Sequence, residues 1–194
     1  MCAQPAAAAA PRLLPITLHV AERSGQPVVS PEWIAERVAR ANAIFGVYGV
    51  QFEVVGRQAL AERHAALETR ADRDALGQYF ARGTIHVFCV ESLLDVDEPG
   101  RVRRGVHWRS TTHAAAHFVV VSKISGPDVL SHELGHYLGN PSHSDVAGNL
   151  MSYEHTDVLP FLDAKQQQRM TRTIASYLRS GELRALRAAG SARK

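Results

Sequence analysis

Cysteine is scarce in this chain: only Cys2 and Cys89 occur among 194 residues. Neither belongs to a Cys-x-x-Cys pair, which argues against a cysteine-based zinc site. Cys89 lies inside the apolar run "IHVFCV" and reads as a buried thiol. Long hydrophobic runs are also missing, so no stretch of the sequence suits a membrane span. The sequence as given shows no n-region and h-region of a signal peptide. Charge of one sign is nearly absent as an excess. The formal net charge is +3, and much of it follows Gly181 (Arg184, Arg187, Arg193, Lys194). Residues 181–194 therefore read as a solvated basic tail. No basic patch is interleaved with aromatics, so no nucleic-acid partner is expected.

The opening "MCAQPAAAAAP" is low in complexity, and residues 1–12 are expected to be disordered. Met1-Cys2 has two readings that the sequence leaves open. One is a clipped lipoprotein, with a lipid anchor at Cys2 and the Ala/Pro stretch as tether. The other is an ordinary flexible terminus. The expected location is secreted or cell envelope, and the expected state a monomer.

What is present supports one folded domain over 13–180. Hydrophobic residues make up 45% of the chain, enough for a real core. "LLPITLHVA" (13–21) reads as a strand. Ser30-Pro31 announces a helix, with Ser as N-cap and Pro at the first helical position. Ile34, Val38, Ala41 and Phe45 follow at helical spacing, and "VQFEVV" (50–55) reads as a second strand. Residues 58–83 read as mostly helical. "TIHVFCV" (84–90) and "HFVVVS" (117–122) read as strands, and "GVHWRST" (105–111) as a short edge strand. A helix starts near Ser125-Gly126-Pro127, and Asp163 can cap a last one. The predicted class is α+β, a mixed and mostly parallel twisted sheet with helices packed on it.

The chemistry concentrates in "SHELGHYLGNPSHSDVAGNLMSY" (131–153). Residues four apart on a helix share a face, with Cβ atoms about 5–6 Å apart. His132 and His136 can therefore address one zinc ion. Glu133 beside them is placed for a water rather than for the metal. Zinc acidifies its water and polarises a scissile carbonyl, while a glutamate carries the proton to the leaving amine. Gly139 can end the helix in a left-handed conformation and return the chain toward the metal.

This stretch resembles the metzincin clan of zinc metallopeptidases, whose signature is HExxHxxGxxH followed by a methionine turn. The match runs through Gly139 and then departs, because the family's third ligand would fall on Ser142. The histidine stands one place later, at His143. In matrixin-type members a histidine-serine pair precedes the turn methionine by eight residues, as His143-Ser144 precedes Met151 here. A neutral imidazole is also a better zinc ligand than a serine hydroxyl. The candidates rank His143, then Asp145, then Ser142. By the same resemblance Met151 floors the metal, and Tyr153 either stabilises the oxyanion, as in astacin- and serralysin-like members, or lines the pocket. The "HELGHYLG" segment is also similar to pappalysin-type sequences.

The resemblance implies a metzincin-like layout. An upper lobe would span 13–139 with the active-site helix at the cleft, and a small irregular lower lobe 140–180 would end in a helix. It implies a zinc endopeptidase acting on a protein or peptide substrate, extended against an edge strand near 105–113. Two rivals remain. One is a thermolysin-like site with Glu154 as third ligand. The other is a non-catalytic zinc-binding or adhesion module on a protease-like fold. His107, His113 and His117 invite a second, structural metal, although no acidic residue lies among them. A cysteine switch by Cys2 lacks the matrixin flanks. His155 and Asp157 would border the specificity pocket.

Overall fold

A computed structural model describes residues 11–154 and 156–187. Cys2, His155, Arg193 and Lys194, and with them the expectations of a lipid anchor or a cysteine switch, lie outside the described residues. Among the described residues eight strands form: β1 (Arg12–Arg23), β2 (Gln26–Pro27), β3 (Val50–Leu60), β4 (Ala66–Leu67), β5 (Ile85–Val90), β6 (Ser92–Leu93), β7 (Gly105–Arg109) and β8 (His117–Ser122). The helices are α1 (Pro31–Gly46), α2 (Arg70–Ala75), α3 (Val129–Tyr137) and α4 (Ala164–Ser180).

The main sheet runs β3-β1-β5-β8-β7, with β2 paired to the end of β1. The β3–β1, β1–β5 and β5–β8 pairs are parallel, and β7 joins β8 antiparallel. The mixed, mostly parallel sheet read from the sequence is what forms. β5 and β8 are the central strands and are buried at every position. Strands covered on both faces favour apolar and β-branched side chains, which make up most of "IHVFCV" and "HFVVVS"; the buried His86, His117 and Ser122 are each hydrogen-bonded.

Side chains alternate across the sheet. Ile16, Leu18, Val87, Cys89, Val119 and Val121 face α1 and α3 in the larger core. Ala21, Phe88, Val90, Phe118 and Val120 face the opposite side. That side is covered by residues 60–79, where the expectation of a mostly helical segment fails. β3 runs on to Leu60, and only short helical turns (62–64, 70–79) follow. Ala, Glu and Arg favour helix locally, but β3 is an edge strand and tolerates polar residues on its open side.

The helix ends obey local rules. Ser30 Oγ accepts the Trp33 N–H at 3.2 Å, and Pro31 occupies the first turn of α1. Asp163 and Gln166 form a reciprocal capping box at the start of α4. Of the expected tail, Glu182–Leu186 pack on the domain, while residues 188–194 lie outside the described residues. Leu183 is buried, Leu183 and Leu186 make bridges to Gly83 and Leu13, and Glu182 reaches the sheet. No helix among the described residues is long and apolar enough to cross a membrane.

Candidate metal centre and cleft

Helix α3 carries two faces of different chemistry. Leu130, Leu134 and Tyr137 point into the core, while His132 and His136 face the cleft with Glu133 beside them. Gly135 sits over the turn that contains Met151, and a Cβ there would collide with the Met151 sulfur. Gly139 ends the helix at φ +99°, where a Cβ would also overlap Thr173 of α4. Glycine is thus required at 139 by backbone conformation and by packing. The chain can then turn back toward the helix.

Backbone carbonyls fix the imidazoles. His132 Nδ1 lies 2.8 Å from the Leu150 carbonyl, and His136 Nδ1 lies 2.7 Å from the Asn140 carbonyl. Each Nδ1–H donates there, which leaves Nε2 as the lone-pair nitrogen. His136 Nε2 is 3.1 Å from His132 Nε2 and 3.3 Å from His143 Nε2. Lone pairs facing each other at that distance repel unless a cation lies between them. Tetrahedral zinc with Zn–N of about 2.0–2.1 Å would set nitrogen separations of about 3.3 Å. The three residues therefore fit such an ion. They form the one group of His, Cys, Asp or Glu among the described residues whose ligand atoms converge, all within 4.8 Å. Asp145 and Glu154 are not in it, and Ser142 is exposed.

The lower wall is tied down by its own hydrogen bonds. Ser144 N–H donates to the Met151 carbonyl at 2.9 Å, which clasps the His143 loop to the turn. Met151 itself is fully buried. Asn149 and Gln166 exchange side-chain amide bonds at 2.8 and 3.0 Å, and Asn149 Oδ1 also accepts the Met151 N–H at 2.9 Å. Gln166 belongs to the α4 cap, so the turn is anchored to that helix.

Glu133 is 7% exposed, and burial pushes its carboxyl up to about 8; the His107 backbone N–H and the Arg103 charge act in the other direction. A Cβ on Gly105 would fall 2.9 Å from Glu133 Cγ and 2.6 Å from Val129 Cγ1. The glycine opening β7 therefore makes the space in which this carboxylate lies. Tyr153 is 65% exposed, with Oη 2.9 Å from His143 Nε2. Burial lowers the His136 and His143 pKa values, and favours the neutral imidazoles that metal binding needs.

These residues open onto a cleft of about 830 Å³ lined by β7, the 95–104 loop and the segment from Gly139 to Tyr153. Residues 104 and 110 exchange backbone bonds with the β8 side, through Ser122 N–H to Arg104 O and Ser110 N–H to Ala116 O. By alternation Gly105, His107 and Arg109 turn their backbone groups to the open edge. Asp157 is exposed and does not line the cleft.

The three other histidines do not form a second cluster. His107 Nε2 meets His117 Nδ1 at 2.9 Å, and His117 Nε2–H donates to the Glu182 carboxylate. His113 is elsewhere, against Gly77 and bonded to Thr112 Oγ1 at 3.0 Å. The sequence reading missed both Glu182 and Gly105. Glu182 lies 65 residues beyond His117 in a stretch that looks like a basic tail. No local signal marks Gly105 either, because its purpose lies on another element.

The metalloproteinase-II of Bacteroides fragilis superposes with a TM-score of 0.58 at 16% identity, over 87% of this chain and 55% of that one. Mature mirolysin of Tannerella forsythia, solved with a cleaved peptide, gives 0.58 at 13% over 91% and 100%. The archaemetzincin of Methanopyrus kandleri gives 0.54 at 16% over 84% and 96%. The fold is that of metzincin-type zinc metallopeptidases. At such identities the likeness is one of fold. This chain spans little more than half the length of the Bacteroides metalloproteinase. No family model matches the sequence, and no curated protein matches it.

Proposed function

We propose that the chain is a zinc-dependent endopeptidase. The observation that carries this reading is the set of three Nε2 atoms, with the Glu133 carboxylate beside them at the floor of an open cleft. His132, His136 and His143 hold the metal. Bound zinc would supply an acidified water and polarise the scissile carbonyl.

Glu133 takes the proton of the attacking water and delivers it to the leaving amine. Burial raises its carboxyl pKa in the metal-free chain, and the charge of a bound zinc would favour the carboxylate that a base needs. Tyr153 donates its hydroxyl to the oxygen that gains charge during attack. The substrate lies extended along the open edge of β7, held by backbone bonds to Gly105, Arg109 and the His107 carbonyl, the His107 N–H being turned to Glu133. The fold shared with mirolysin, solved with a cleaved peptide, supports a peptide occupant of this cleft.

The deciding experiment is Glu133→Ala on a peptide pool, with bound zinc measured in parallel. Zinc should be retained and the rate should fall by roughly 10²–10⁴, the usual size of a general acid–base contribution. A zinc-loaded wild-type protein that cuts nothing would favour the non-catalytic module. A Glu133→Ala protein as active as wild type would remove Glu133 from the mechanism.

A further inference from the structure

The charges of the cleft do not cancel. Five arginines line it (Arg73, Arg101, Arg103, Arg104 and Arg109), against Asp95, Asp97 and Glu133. The two aspartates are already engaged. Asp95 is buried and accepts Arg103 Nε at 2.5 Å together with the backbone N–H groups of Asp97 and Glu98. Asp97 pairs with Arg70 outside the cleft. Arg101 is held by Glu98 at 2.7 Å. Arg73 is buried, donates to the Leu94 carbonyl at 2.5 Å and lies 4.8 Å over the Trp108 ring.

Arg104 and Arg109 remain. Both are exposed, and neither has a carboxylate within 4.0 Å among the described residues. Arg109 is bonded to the uncharged Tyr177 hydroxyl. The lower wall of Gly139, Pro141, His143, Ser152 and Tyr153 adds no acid. The two guanidinium groups without a carboxylate partner belong to residues at opposite ends of β7, one just before Gly105 and one at its last residue. Five residues of strand separate their backbones by about 17 Å. A peptide laid along that edge has the same rise per residue. Its own residues about five apart therefore come beside the two arginines.

We propose that Arg104 and Arg109 select substrates with acidic side chains flanking the cut on both sides. This rests on the peptidase reading and names its substrate class. Exposed pairs are individually weak. Two of them, together with repulsion of lysine at the same places, give a preference of about tenfold. The preference acts on association and falls with salt.

The test uses three labelled peptides with one neutral core and Glu, Ala or Lys at both flanks. Wild-type kcat/KM should fall in the order Glu, Ala, Lys, with a Glu-to-Lys ratio of about tenfold at low salt that shrinks at about 0.5 M NaCl. In Arg104→Glu/Arg109→Glu the ratio should invert. Equal rates in the wild type, or a ratio that the double variant leaves unchanged, would overturn the proposal. Fluorescence anisotropy of the same peptides on zinc-loaded Glu133→Ala protein separates this inference from the reading beneath it. If no peptide is cut yet the Glu peptide binds more tightly than the Lys peptide, the charge selection stands and the hydrolytic reading falls. If the peptides are cut but bind alike, the selection falls alone.

Discussion

Gly105 and Glu133 occupy one space: a Cβ on the first would lie 2.9 Å from Cγ and 3.1 Å from Oε1 of the second. The edge strand β7 and helix α3 are thus in contact through a missing side chain. Gly105→Ala should push the carboxylate aside without touching a metal ligand. A base displaced by about 1 Å costs on the order of 10²-fold in rate. We expect that loss in kcat, with zinc content unchanged by metal analysis. Full activity in Gly105→Ala would show that the carboxylate has room to spare.

His143 is the proposed ligand with the weakest local warrant, since one extra residue separates Gly139 from it relative to the metzincin pattern. Its Nε2 nevertheless stands 3.3 Å from that of His136. His143→Ala should lose zinc at concentrations where Ser142→Ala and Asp145→Asn keep it. Because a ligand that binds only the native state stabilises it, added zinc should raise the Tm of the latter two variants and not of His143→Ala. Zinc retained by His143→Ala and lost by Ser142→Ala would reverse the assignment.

Tyr153 is mostly exposed, yet its hydroxyl lies 2.9 Å from His143 Nε2. A donor there acts on the transition state more than on the bound substrate. Tyr153→Phe should lower kcat by roughly 10²–10³ with little change in KM. A kcat within about twofold of wild type, under about 0.5 kcal/mol, would leave Tyr153 as a wall of the cleft.

Acid should weaken the fold from the face of the sheet opposite α1 and α3. His19 is fully buried there, stacked on Phe88 at 4.4 Å and bonded to His86 at 2.8 Å. Burial first, and the neighbouring His86 second, lower its pKa to about 4. Burial lowers His86 and His64 as well. The unfolded chain, with histidines near 6.5, binds more protons between these values. Their contribution is therefore complete above about pH 6.5 and is lost as pH falls toward 4. Urea unfolding of the metal-free protein should show a midpoint falling across this window. The fall should be shallower in His19→Phe. An identical pH slope in the two proteins would exclude His19 as its source.

Much of the fold was legible because its causes are local. Apolar runs long enough for one strand gave β5 and β8. Ser30-Pro31 and the Asp163–Gln166 box gave the starts of α1 and α4. The spacing of His132 and His136 put both on one helix face whatever that helix packs against. The reading of 58–83 as helix failed for the opposite reason. The strand state of Gln58–Leu60 comes from pairing with His19–Ala21 across the sheet, and no property of those residues announces it.

The sequence by itself determined the two helix histidines, the glutamate between them, and a glycine able to turn the chain. Each depends on contacts a few residues apart, which composition and period encode. Tertiary structure alone decided the rest. It put the Leu150 and Asn140 carbonyls behind His132 and His136, as backbone groups that carry no side-chain signature. It brought Gly105 over Glu133 and Glu182 onto His117. It also paired the acids of the 95–104 loop while leaving Arg104 and Arg109 without a carboxylate partner among the described residues. Such contacts join residues tens of positions apart. They exist only once strand register and helix packing have fixed distances that no stretch of sequence contains.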